Sequence, residues 1–195
     1  MAEPVEVYCW SSAQILADPD PEVLTEAQRQ RLAGFRTAAR QEEYLAGRAL
    51  LHAGLRRLPP GQWRTSLSHT AGLMACAAAL QLQPGIDVEP LGRPVQPRYL
   101  RMSFSPREHA GWFDSAGPDQ ILRAWTLKEA FRKTCRDPLP PFRELEVHFP
   151  EDGPPQLHWR SVWFTAALDL APGYLAALAL PAPAGTAVSI HLLSA

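Results

Sequence analysis

Leu122-Arg123-Ala124-Trp125-Thr126-Leu127-Lys128-Glu129-Ala130-Phe131-Arg132-Lys133 is the stretch on which the reading of this chain turns. It holds no Gly or Pro, and most of its residues are good or neutral helix formers. At about 100° per residue, Ile121, Ala124, Trp125, Leu127, Phe131 and Cys135 fall in one broad apolar sector, so a helix with one face in a core is expected. Glu129 and Lys133 stand four apart at the edge of that sector and are neighbours on the helix surface. Lys128 falls inside the sector, where a charge is costly unless its head finds water or a partner. Alone, the Glu129/Lys133 pair reads as a rim salt bridge worth a few tenths of a kcal/mol.

A second stretch forty residues upstream changes that weighing. Pro84-Gly85-Ile86-Asp87-Val88-Glu89-Pro90 is bounded by prolines and alternates as a strand does. Ile86 and Val88 share one face, Asp87 and Glu89 the other. Two like charges so placed repel unless a cation or a solvated edge relieves them. With a third carboxylate from a helix they would suit a hard divalent cation such as Mg²⁺. By itself the strand reads equally well as a solvated acidic edge.

The chain has 195 residues and a formal net charge of −1, which fits one domain or two small packed lobes. So balanced a charge gives no field for nucleic acid or an acidic membrane surface, and neither is expected as a partner. Its twenty prolines are scattered as punctuation. Cys9, Cys76 and Cys135 are odd in number and far apart, so buried thiols are expected rather than a disulfide framework or zinc site. The first residues are acidic and lack the apolar run of a signal peptide, and no tract is long enough to span a bilayer. The cytoplasm is the expected compartment.

In order, the chain reads as a strand at 5–10, a short helix capped by Ser11 or Ser12, and a turn at 18–21. Helices follow at 25–35 and 38–58, then a hairpin over 63–80 turning at 70–72. After the acidic strand comes a basic segment at 93–102. Ser105-Pro106-Arg107-Glu108 next opens a helix to about Phe113, with Ser as N-cap and Glu at the third position. The central helix is followed by strands at 145–149, 157–164, 174–180 and 188–193. The expected fold is α+β: two pseudo-symmetric α+β lobes of related plan, 1–83 and 84–195, meeting at a seam, each an antiparallel sheet packed with helices.

These pieces together resemble the 4′-phosphopantetheinyl transferase superfamily, and its longer surfactin-type, two-lobe branch in particular. The resemblance rests on Leu67-Ser68-His69-Thr70-Ala71-Gly72, Gly85-Ile86-Asp87-Val88-Glu89, Phe104-Ser105-Pro106-Arg107-Glu108, and Trp125-Thr126-Leu127-Lys128-Glu129-Ala130-Phe131-Arg132-Lys133. Pro172-Gly173-Tyr174 looks like the family's late hairpin, and residues 24–51 resemble its first helices more loosely. Either the acidic strand or the central helix alone is a weak signal; the two in this order and spacing are specific.

The resemblance implies transfer of the 4′-phosphopantetheine arm of coenzyme A to a serine of an apo carrier protein, releasing 3′,5′-ADP. Mg²⁺ is the implied metal, with Mn²⁺ as a substitute. By position, Asp87, Glu89 and Glu129 correspond to the metal carboxylates, and Glu129 also to the base for the incoming serine. Lys133 corresponds to the lysine that meets the reacting phosphate, with Lys128 as its companion. Ser68 and His69 correspond to a pair that contacts coenzyme A, and Arg31 to a basic residue on its 3′-phosphate side. Residues 59–64 are shorter than the family's Gly-Lys-Pro loop; Gly61-Gln62-Trp63 corresponds to it in place with Arg64 as substitute cation, and a plain loop fits the same residues equally well. Gln28 and Glu43 stand where basic residues are usual, and the Gly-rich segment after the central helix is replaced by residues 134–138. A two-half chain carrying its whole site implies a monomer. Residues 97–102, Trp112 and Phe113 are candidates for carrier docking, with core packing the better reading of the two aromatics. Two other functions fit the same residues: a non-catalytic relative that binds coenzyme A or a carrier protein, and a metal-dependent phosphohydrolase.

Overall fold

The structure is a computed structural model, and it describes residues 5–12, 24–94, 100–135, 138–152 and 155–193. The turn at 18–21, most of the short helix before it and residues 97–99 of the docking segment lie outside these; Ser11 and Ser12 end a strand. Among the described residues nine strands form two sheets. The first contains β1 (Val5–Ser12), β2 (Arg64–Thr70), β3 (Leu73–Ala79) and β9 (Val188–Leu193), in the order β2-β3-β1-β9. The second contains β4 (Gly85–Pro90), β5 (Glu146–His148), β6 (Gln156–Trp159), β7 (Ser161–Leu168) and β8 (Tyr174–Pro183), in the order β4-β8-β7-β6-β5.

The sheets face each other across an apolar layer. Val7, Cys9, Ala75 and Ala77 come from the first sheet, and Ile86, Val88, Leu178 and Leu180 from the second. A helix then covers each outer face. Helix α2 (Ala38–Leu55) lays Ala46, Leu50 and Leu51 on Trp10, Cys76 and Ala78. Helix α4 (Pro118–Thr134) lays Ala124, Leu127, Ala130 and Phe131 on Ala177, Ala179 and Leu157. The result is an α+β fold of two lobes, each a sheet with its own helix.

Local signals placed the helix starts. Thr25 and Gln28 form a full capping box for α1 (Glu26–Ala33), and Ser105 with Glu108 forms another for α3 (Pro106–Gly111). Thr37 caps α2, and Pro118 begins α4.

Three expectations are corrected. The first sheet is mixed rather than antiparallel, because β9 pairs in parallel with β1, Val5 opposite Val188 and Trp10 opposite Leu193. Residues 188–193, grouped above with the second lobe, thus belong to the first sheet. The segment 157–164 is two strands, not one: it reverses at Arg160, whose φ of 63° closes the turn between Trp159 and Ser161. Left-handed φ at a non-glycine residue is uncommon, so nothing in the sequence announced that turn.

Candidate active site

Strand β4 and helix α4 build the acidic half of the site. Asp87 and Glu89 share the β4 face toward α4, and each is only 7% exposed. The same face carries Gly85, which lets α4 approach until the Ala130 carbonyl meets the strand. Lys133, near the end of α4, reaches back to β4. Its Nζ donates to Asp87 Oδ1 at 2.8 Å and to the Ile86 carbonyl at 2.9 Å. Arg93 donates to Glu89 Oε1. Glu129, half-buried one turn before Lys133, has its pKa raised. Burial is the first cause and the negative charge of Asp87 the second; Glu89 adds to it, while Lys133 and Arg132 oppose it. The three carboxylates therefore feel one another across the β4–α4 gap.

This donor set suits the divalent metal that the resemblance implies. It is all oxygen, as a hard divalent cation prefers. The mutual repulsion that lifts Glu129 is what such a cation would relieve. In this conformation Asp87 is held by a lysine and Glu89 by an arginine. Among the described residues no three His, Cys, Asp or Glu side chains are gathered tightly enough to form a coordination shell.

The basic half lies on the first lobe. A cleft of about 310 Å³ opens between α1, the first half of α2 and β2. Arg31, Arg40, Tyr44, Arg48, Ser68 and His69 are on its wall. The guanidinium groups of Arg31 and Arg48 lie 5.9 and 5.2 Å from the centre of the Tyr44 ring. An aromatic face holds both cations at the cleft without neutralising either. A phosphorylated ligand fits such a wall. The β2–β3 turn at the end of the cleft is pinned to the second lobe, since Tyr174 Oη donates to the Ala71 carbonyl at 2.9 Å. Gly72, with φ of +81°, makes that turn and leaves room for the Tyr174 hydroxyl.

The structure thus brings together Asp87, Glu89, Glu129 and Lys133 on one side, and Arg31 and His69 on the other. Ser68 stands between the two groups. Two expected coenzyme A residues do not join them. Lys128 has no exposed side-chain surface. Its Nζ donates to Glu108 Oε2 at 2.7 Å, to the Ser103 carbonyl at 3.0 Å and to the Phe142 carbonyl at 3.3 Å, and it lies 4.2 Å from the Phe104 ring centre. It is adjacent to Glu129 in sequence, but a one-residue step on a helix turns it about 100° away from the site and into the core. Arg64 is exposed at the far end of β2, four residues before Ser68, and does not line the cleft.

Sequence reasoning missed other parts of the site. Tyr44 is not among the residues the sequence singled out for the site; its i,i+4 spacing to Arg48 is the available signal. Glu108 was read as a capping residue, which it is. It also takes the Lys128 charge, and its Oε1 accepts the Val147 N–H at 2.8 Å. Trp112 and Phe113 pack in the core as expected: Phe113 is buried, and Trp112 Nε1 donates to the Val147 carbonyl at 2.8 Å.

Residues 83–179 match the family model of the 4′-phosphopantetheinyl transferase superfamily. That segment runs from β4 into β8, holds all three carboxylates and Lys133, and is what the chain shares with this superfamily of transferases. No curated protein matches the chain. No helix among the described residues is long and apolar enough to cross a membrane.

Proposed function

We propose that this chain transfers the 4′-phosphopantetheine arm of coenzyme A to a serine of an apo carrier protein, releasing 3′,5′-ADP, in a reaction dependent on Mg²⁺ or Mn²⁺. The observation that carries this reading is the position of Glu129 and Lys133. They stand one turn apart on α4 and face the Asp87/Glu89 strand, and a basic cleft lies across the seam. The attacked group is a diphosphate, whose charge repels a nucleophile and builds on the leaving ADP as the P–O bond breaks. Asp87, Glu89 and Glu129 would hold a divalent cation that neutralises part of that charge. Lys133 is a fixed cation anchored on the Ile86 carbonyl, free to meet a phosphate oxygen once Asp87 has another partner. Glu129, with its raised pKa, accepts the proton of the carrier serine directly or through one water as the serine oxygen bonds to phosphorus. Arg31, Arg48 and His69 line the wall where the nucleotide end of coenzyme A binds. Because one chain supplies both halves, the active unit is a monomer of the two-lobe branch, acting in the cytoplasm.

A second reading, a relative that binds coenzyme A without transfer, is favoured by the engagement of Asp87 with Lys133 and of Glu89 with Arg93. Mass spectrometry of apo carrier proteins incubated with the chain, coenzyme A and Mg²⁺ separates the two. A gain of one phosphopantetheine, abolished by EDTA, supports transfer. No gain on any carrier, with coenzyme A bound, supports the binder. Phosphate chemistry without a carrier would indicate a hydrolase.

A further inference from the structure

Strands β2 and β4 are the facing edges of two different sheets. An open strand edge leaves alternate backbone N–H groups without a ladder partner, and buried ones must be satisfied. Here serine side chains of β2 satisfy them. Ser66 Oγ accepts the Ile86 N–H at 3.1 Å, and Ser68 Oγ accepts the Val88 N–H at 3.3 Å. The two serines are two residues apart and meet two N–H groups with the same spacing, as the pleat requires. The single Ser68 proton goes to Asp87 Oδ1 at 2.8 Å. Lys133 donates to that same oxygen. Both donors thus fall on Oδ1, and Oδ2 accepts no hydrogen bond among the described residues.

From this, and resting on the transferase reading above, we infer that Ser66 and Ser68 are positioning residues for Asp87 rather than coenzyme A ligands. Ser66 fixes the height of β4 against β2. Ser68 fixes the Asp87 carboxylate by occupying Oδ1, so that Oδ2 is the oxygen left for a divalent cation. A hydroxyl has one proton. With that proton on Asp87 and its oxygen on a backbone N–H, Ser68 has no donor left for a phosphate. His69 does: both residues border the cleft, but Ser68 is buried with its hydroxyl turned to β4, whereas His69 is exposed and, as its neighbour on the strand, points to the opposite face. The adjacent pair is therefore divided, one residue serving the carboxylates and the other the ligand.

The test uses the full chain and two separate titrations: Mn²⁺ alone, by electron paramagnetic resonance, and coenzyme A in EDTA, by calorimetry. Ser68→Ala is expected to weaken Mn²⁺ binding about 10–100-fold, the usual effect of losing a hydrogen bond that orients a metal carboxylate. Its affinity for coenzyme A in EDTA stays unchanged, and Ser68→Thr, which keeps the hydroxyl, recovers Mn²⁺ binding. His69→Ala shows the reverse pattern. Weakened coenzyme A binding in Ser68→Ala with Mn²⁺ affinity intact would overturn the inference and return Ser68 to the ligand. Asp87→Asn tests the underlying reading separately: if it leaves Mn²⁺ binding intact, the metal assignment itself fails whatever Ser68 does. If Ser68→Ala does not fold, Ser68→Cys, with its weaker donor, carries the same comparison.

Discussion

A β-carbon placed on Gly85 would lie 1.8 Å from the Ala130 carbonyl oxygen. Helix α4 rests directly on the backbone of β4 at this point, two residues before Asp87 and one residue after Glu129. Gly85→Ala must push the two apart, and overpacking of this kind costs typically 1–3 kcal/mol, at times more. The expected outcome is a lower melting temperature together with a loss of turnover, because the same displacement separates Asp87 from Lys133. Wild-type turnover in a Gly85→Ala protein would show that the β4–α4 spacing is not what sets the site.

Glu129→Gln and Lys133→Ala should leave the fold intact, since both side chains lie on the rim of α4. Turnover on a carrier protein should fall by orders of magnitude, about 10²–10⁴-fold for loss of a positioned base. Circular dichroism checks the fold, and the mass gain on the carrier gives the rate. Undiminished turnover in both variants would remove them from the chemistry.

Lys128 should behave in the opposite way. Its ammonium and the Glu108 carboxylate are enclosed together, and removing one partner leaves the other charge buried, at a cost of about 3–5 kcal/mol. Lys128→Met is therefore expected to unfold at much lower urea concentration. Whatever fraction stays folded should bind coenzyme A with wild-type affinity. A stable Lys128→Met protein with weakened coenzyme A binding would place the lysine back at the ligand.

The raised pKa of Glu129 gives a pH prediction of its own. The carboxylate form required of a base is lost at a higher pH than for an ordinary carboxyl. In the metal-free protein Glu129 should accordingly titrate above the usual carboxylate range, and Mg²⁺ should draw that midpoint down. The same sign applies to stability. A carboxyl whose folded pKa exceeds its unfolded value contributes stability below the unfolded pKa and loses it as pH rises through the folded one. Asp87→Asn removes one of the charges that raises Glu129 and should lower its titration midpoint, as followed by carboxyl ¹³C chemical shift. An unchanged or higher midpoint would mean that the two carboxylates do not interact.

Arg48→Ala should weaken coenzyme A binding, with the loss shrinking as salt is raised and the charge interactions are screened. Tyr44→Leu should do the same less strongly, since it removes only the ring that holds Arg31 and Arg48. Calorimetric titrations at two ionic strengths check both.

The elements that place the chemistry were legible because they are local. A 3.6-residue period marks α4, a two-residue period between prolines marks β4, and paired cap residues mark α1 and α3. What was not legible depends on residues far apart in the chain. Nothing near residue 190 says that β9 will lie parallel to β1. The two serines of β2 look like any polar positions on a strand until β4 is placed beside them. Lys128 is the instructive case. Helical periodicity puts it in the apolar sector, where its head needs water or a partner, and the structure supplies a partner. The family resemblance puts it on coenzyme A, whereas here it is enclosed with Glu108. The partner, Glu108, lies twenty residues earlier and was already assigned to a cap.

The parallel pairing of β9 with β1 also has a consequence for how the molecule is made. During synthesis β1 leaves the ribosome before the whole second sheet, while its neighbour β9 follows that sheet. The first lobe therefore waits, with one edge of β1 open, until the second lobe has been translated. Neither half can be expected to mature as an independent folding unit. A split expressed as two fragments at the β3–β4 connection should yield an N-terminal piece prone to pair through that open edge.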